Sequence, residues 1–212
     1  MGTVHLGISL VFQVRNNLSQ TSRHYAENTN MENLAQQNDV IASTQRWLER
    51  AVIGLNLCPF ANAEHVHGRI RYVVSEATRS DELLLTLEQE IEFLLAQDPA
   101  KTETTLLIVP QMLADFLDYN DFLDDADAML EHADPQAQLQ IASFHPQYQF
   151  GGTEPEDMEN YTNRSPYPML HLLREDSVER AVASFPDAAN IYERNIATLK
   201  KLGLEGWKAL QV

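Results

Sequence analysis

Basic residues are scarce in this chain. Fifteen Lys and Arg face 31 Asp and Glu over 212 residues, a formal net charge of −16. A nucleic-acid partner needs a basic footprint to displace phosphate counterions, and no Lys/Arg cluster supplies one. Anionic membrane surfaces are disfavoured for the same reason. Cysteine is scarcer still. Cys58 stands alone, so no disulfide can form within the chain and a reducing compartment is the simpler expectation. No apolar run approaches the ~20 residues that span a bilayer. The opening stretch has a short apolar patch, Leu6 to Val14, with no basic residue before it and no small-residue cleavage site after it. That is a poor secretory signal. A cytoplasmic protein is expected. Also missing are a Gly-rich phosphate loop, a nucleophile-elbow serine and a zinc-type cysteine pattern.

What is present reads as one globular domain over residues 39–212, preceded by a flexible extension over 1–38. The polar run from Arg15 to Asn38 has no sustained period and too little apolar surface to offset its ordering entropy. His5 and His24 fall there and carry no chemistry; Met31, just before the first periodic stretch, is a candidate alternative start. From Asp39, Val40, Ile41, Trp47, Leu48, Ala51, Val52 and Leu55 recur at helical spacing to about Leu57. Cys58-Pro59 stops that helix, because a residue before proline is pushed out of helical geometry. Arg69–Ala77 reads as a strand. Ser80 is placed to cap a helix with Leu83, Leu84, Leu87, Ile91, Leu94 and Leu95 on one stripe. Thr104–Val109 is a short, continuously apolar run, as expected of a strand covered on both faces.

A further helix runs through Phe116 to Leu130 with an acidic solvated face and closes at Asp134-Pro135. Leu139–Phe144 and Met169–Arg174 read as strands three and four. Asp176 with Glu179 predicts a capped helix ending before Pro186. A last helix from about Asp187 to Leu202 is stopped by Gly203. Helical crossovers between short strands predict an α/β (or α+β) domain, with a small parallel or mixed sheet of about four strands and helices packed on it.

Chemistry concentrates in Ile141–Glu175, which gathers two His, two Arg, three Tyr and four Pro around Gly151-Gly152. His145 precedes a proline at a strand end, near where ligands of open α/β sheets usually bind if the strand is parallel. The two glycines permit unusual dihedrals or close ligand approach. Thr153, followed by Pro155 and Glu156, predicts a one- or two-turn helix to about Tyr161. Two X-Pro bonds at 165–168 stiffen the loop, with one a candidate for the cis form. Arg164 and Arg174 match carboxylate and phosphate geometry with a planar fork of donors. On a strand, His171 and Arg174 lie on alternate faces. Against a ligand site stands the bland reading, a structural belt ordered by its own hydrogen bonds and Arg–carboxylate pairs. Loop length favours a site, since loops beyond ~12–15 residues in compact domains tend to be functional or disordered.

Cys58 has three readings: a buried small hydrophobe, a thiolate paired with His145 or His171, or an axial haem thiolate from a Cys-Pro dipeptide. His65-Val66-His67 lacks a third ligand at convincing spacing and reads as a solvated turn.

Three segments, WLERAVIGLNLCPFA (Trp47–Ala61), SFHPQYQFGG (Ser143–Gly152) and ENYTNRSPYPMLHLLRE (Glu159–Glu175), resemble a bacterial family called domain of unknown function 1415. The likeness covers about Val40 to Trp207. It implies a cytoplasmic bacterial protein and carries over no activity.

Three functions are open at this point. The first is an enzyme acting on a small anionic metabolite. In it His145 and His171 serve as acid/base groups, Cys58 is a nucleophile, and Arg164, Arg174, Gly151, Gly152, Asn163 and Tyr161 bind the substrate. The second is a non-catalytic ligand, haem or metal sensor using the same pocket, though no metal site and no particular cofactor is assigned. The third is an interaction module presenting an exposed patch of Tyr148, Phe150, Tyr161 and Tyr167. The first two require Cys58, His145, Arg164 and His171 to line one cavity.

Overall fold

A mixed sheet whose last strand lies inside it organises the chain. The computed structural model describes residues 31–184 and 190–212. The chain divides into two compact units, 1–39 and 40–212. In the first, the described residues 31–39 are helical, where composition led us to expect a flexible extension through 38. Glu32, Leu34, Ala35, Gln36 and Gln37 are all strong helix formers. His5 and His24 lie outside the described residues. All that follows concerns the second unit.

That unit opens with α1 (40–47), which runs into a π-helical stretch, Leu48–Ile53. The amide of Gly54 donates to Glu49 O at 2.9 Å, and that of Leu57 to Val52 O at 2.8 Å, both one residue wider than an α-helical bond. Gly54 makes the wide turn possible. A Cβ there would stand 2.3 Å from the Arg50 carbonyl oxygen, which no other residue could accommodate. The regular helix therefore ends earlier than its apolar period predicts. A short helix, α2 (Ala61–Val66), follows the Cys58-Pro59 corner and places His65 in its last turn, where a bare turn was expected.

The remaining order is β1 (Ile70–Val74), α3 (Ser80–Ala96), β2 (Thr104–Ile108), α4 (Phe116–Ala133), β3 (Leu139–Phe144), β4 (Met169–Arg174), α5 (Glu175–Ser184) and α6 (Ile191–Ala209). A short 3-10 turn, Met158–Thr162, sits in the β3–β4 loop. The sheet order is β1-β2-β4-β3, with β1 parallel to β2 and β4 antiparallel to both of its neighbours. This is a single α/β domain with a mixed sheet.

Alternation along the strands sends side chains to two covered faces. Leu107, Leu139, Leu170 and Leu172 meet Leu83, Leu87, Ile91 and Leu94 of α3 and Tyr119, Phe122 and Ala126 of α4. Each fully buried leucine there contributes roughly 1.5–3 kcal/mol. On the other face Leu106, Ile108 and Met169 meet Trp47, Leu48, Ala51 and Val52, with Trp207 and Leu210 alongside. Covering on both faces explains why all five residues of β2 are buried.

Several local signals resolve differently from their sequence reading. Ser80 lies inside α3 rather than capping it; the Glu82 carboxylate instead accepts the Thr78 amide at 3.0 Å. Asp115 caps α4, accepting from the amides of Leu117 and Asp118. Thr153 turns back to Phe150 and Asn160, and the one-turn helix starts later, after Asp157. The Asp176–Glu179 box is displaced because α5 begins directly at Glu175. Gly203, at φ 67°, interrupts α6 as a stop glycine should, but a further helical stretch continues to Ala209. The expected start at Asp187 lies outside the described residues. No peptide bond among the described residues is cis.

Candidate functional site

The long loop after β3 is held almost entirely by its own polar atoms. Asn160, fully buried, accepts at Oδ1 from the Phe150 amide (3.0 Å) and the Thr153 hydroxyl (2.8 Å), and donates through Nδ2 to Glu154 O (2.7 Å). Arg164 donates from Nε to Tyr148 O and from Nη2 to Pro155 O, with its guanidinium 4.2 Å above the Tyr161 ring. Its own carbonyl takes the Trp47 indole N–H at 2.8 Å. Arg164 and Tyr161 are thus parts of a belt, and the belt's acceptors are backbone carbonyls rather than the carboxylates expected. Gly151 and Gly152 form an open turn. No atom stands within 4 Å of where a Cβ would be at either glycine, and Gly152 needs its φ of 82°.

His145 belongs to the same belt. It is completely buried, packed against the rings of Phe116 and Tyr119. Its Nε2–H donates to Leu113 O at 3.0 Å, and Nδ1 accepts the Gln147 amide at 3.0 Å. Both nitrogens are used, the tautomer is fixed, and burial pushes the pKa below its usual value. The expectation that His145 and Arg164 share a cavity with Cys58 and His171 is therefore corrected. A strand-end His-Pro beside glycines looks the same in sequence whether it serves a ligand or staples a loop.

Cys58 and His171 do meet a common space. A cavity of about 570 Å³ lies against the second face of the sheet, within the ~300–1,000 Å³ range of small-molecule pockets. Thr104, Leu106, Ala142, Phe144, His171 and Leu173 form its floor. Register explains their gathering, since His171 is paired with Leu106 on one side and Ala142 on the other. The π-helical stretch contributes Leu48 and Val52, the corner after it Cys58 and Pro59, and α5 Val178 and Ala181. Thr162 and Asn163 close one end; Asn163 Nδ2 donates to Ser143 O at 3.0 Å. Ile70 and Thr104, the first residues of β1 and β2, are in the lining, so the cavity reaches the end of the parallel strands opposite to the usual ligand crevice.

Two of the charged groups on its walls are already paired or turned away. Glu64 is held by a two-point pair with Arg69 at 2.8 and 2.9 Å. Arg174 reaches the cavity at the end of β4, yet its Nη2 donates to Leu94 O, Gln97 O and Thr102 O, finishing the C-terminal end of α3. His171 and Arg174 thus diverge as strand alternation requires.

His171 is the most informative polar group. Its Nε2 stands 2.7 Å from Thr104 Oγ1, and that hydroxyl lies 2.5 Å from Leu172 O. A carbonyl only accepts, so the single hydroxyl proton goes to Leu172, and Thr104 must accept from His171 Nε2–H. Nδ1 then carries the lone pair. The residue is partly buried against the cavity, and desolvation lowers its pKa to about 4. The imidazole is neutral at pH 7.

Sequence reasoning missed Thr104, Thr162, Phe144 and the α5 contribution. The readable signal was parity: a central strand facing His171 one way must face Leu173 and its neighbours' small residue, Ala142, the same way. The aromatic patch also differs from expectation. Tyr148 and Phe150 meet edge to face at 5.0 Å, Tyr161 meets Trp207 the same way at 5.0 Å, and Tyr167 packs into the second core, so none of the four is fully exposed. Among the described residues no group of three His, Cys, Asp or Glu is placed to hold a metal ion, and no helix is long and apolar enough to cross a membrane. Residues 39–209 match the family described as Protein of unknown function (DUF1415). No curated protein and no solved structure matches.

Proposed function

The chain belongs to this family of unknown function, and from its cavity we propose that the protein binds a small, predominantly apolar molecule against the second face of its sheet. The observation that carries this reading is the space itself. Its volume, about 570 Å³, falls within the ~300–1,000 Å³ of small-molecule pockets. Water inside it would meet mainly Leu, Val, Ala and Phe side chains, and such walls favour an apolar occupant. The π-helical stretch on one wall is consistent with this, because single π-turns recur at functional sites.

The test is binding of a neutral apolar fluorophore, N-phenyl-1-naphthylamine, to wild type and to Ala142→Phe. The phenyl ring would fill the floor beside His171, so binding is expected in the wild type and should weaken at least ~10-fold in a variant that keeps its far-UV spectrum. Equal binding by both would place the probe elsewhere and remove the reading.

Catalysis on the bound molecule, with Cys58 as nucleophile, is favoured by one observation: Cys58 lines the same cavity as His171. An imidazole titrating near 4 is a weak base at neutral pH, so binding remains the primary reading. We also read the protein as bacterial and cytoplasmic, from the lone cysteine and the family likeness.

A further inference from the structure

We propose that the cavity selects a neutral ligand carrying a hydroxyl or other hydrogen-bond donor, which it recognises through the Nδ1 lone pair of His171. The inference rests on the cavity reading and adds the ligand's chemical class. Three observations bear on it.

First, the Thr104 relay decides which nitrogen is bare. Leu172 O can only accept, Thr104 Oγ1 therefore donates to it and accepts from Nε2–H, and Nδ1 is left as an acceptor. Among the described residues no donor is hydrogen-bonded to Nδ1. His171 lines the cavity and is only partly buried, so a ligand that supplies a donor can pair this acceptor.

Second, the groups that would welcome an anion are directed elsewhere. Arg174 Nη2 donates to three backbone carbonyls while its Nε, though without a partner, is buried out of reach, and the Arg69 guanidinium is held by Glu64. Glu103 also lies on the lining, which disfavours a carboxylate or phosphate further. A lone pair presented by His171 repels an anionic oxygen in the same way.

Third, the rest of the lining is mainly apolar, so a hydroxyl set against Nδ1 supplies the donor that an ether or a hydrocarbon lacks. The discrimination expected is that of a site built around a hydrogen bond: an analogue lacking the donor leaves that acceptor unpaired.

The experiment is isothermal titration of the full chain with three matched probes: 2-naphthol, 2-methoxynaphthalene and 2-naphthoate. We expect 2-naphthol to bind ~10-fold more tightly than 2-methoxynaphthalene, and 2-naphthoate to bind least. His171→Phe should erase the preference while 2-methoxynaphthalene still binds. Thr104→Val, nearly isosteric, removes the hydroxyl that pins the tautomer and should also reduce the preference, which guards against a His171→Phe chain that fails to fold. Equal binding of 2-naphthol and 2-methoxynaphthalene, or tightest binding of 2-naphthoate, overturns the donor inference and leaves the cavity reading standing. Failure of all three probes to bind folded wild type overturns both.

Discussion

Acidification should unfold this protein partly through one ring, and the size of the effect follows from the site. His171 has an ordinary pKa of 6.5 in the unfolded chain and about 4 in the folded one, because desolvation penalises the imidazolium. The unfolded state therefore takes up the proton first. Stability from the neutral ring is complete above pH ~6.5, falls as the pH drops toward 4, and levels off below it. At ~1.36 kcal/mol per pH unit, the loss across this window is about 3 kcal/mol. Urea denaturation of wild type and His171→Gln at pH 7, 5.5 and 4.5 measures it. Glutamine cannot take up a proton, so the variant should lose about 2 kcal/mol less than wild type between pH 7 and 4.5. His145, also lowered by burial, remains in both proteins and sets a common residual slope. An imidazole NMR titration of folded wild type should show His171 neutral at pH 5.5. A ring that titrates near 6.5 in the folded protein, or a variant with an unchanged acid slope, would refute the placement of His171 in a desolvated cavity.

Two other perturbations test the frame around the cavity. Arg174→Gln should lower stability by about 1–3 kcal/mol in urea titration, because the carbonyls of Leu94, Gln97 and Thr102 lose a shared charged donor. The Arg71–Glu90 pair, joined at 2.7 and 2.9 Å, is asymmetric: the glutamate side chain is 10% exposed and the arginine 37%. Arg71→Ala strands the more enclosed carboxylate and should cost about 2 kcal/mol, whereas Glu90→Gln, which leaves a guanidinium with access to water and to the Phe93 ring, should cost about half as much. Equal losses in thermal unfolding would contradict this ordering.

Elements whose signals are local were readable from sequence. β3 and β4 lie at the residues expected, and the leucine stripe of α3 faces its core, because period and burial agree over those windows. Elements decided by distant contacts were not. The helix after Pro59 is six residues long and too short to show a period. The widened turn before it depends on a close approach between Gly54 and Arg50 O that no apolar pattern records. The site divides along the same line. The functional and structural readings of His145 share one sequence signature, and only the carbonyl of Leu113, 32 residues away, distinguishes them. Cys58 and His171 were singled out for their chemistry. What could not be read was that register would place His171 between Leu106 and Ala142, on the floor of the same cavity as Cys58.

The position of β4 has a consequence for how the chain is made. Among the described residues it is the last strand to be synthesised, yet it supplies every hydrogen bond that joins the β1–β2 pair to β3. A nascent chain that has reached residue 160 holds an incomplete ladder with two raw borders, and such borders recruit other chains. Ribosome release before Met169 should yield aggregates rather than a smaller folded core. Assembly is therefore all-or-none near the end of translation, and the pocket floor comes into being at the same moment as the sheet.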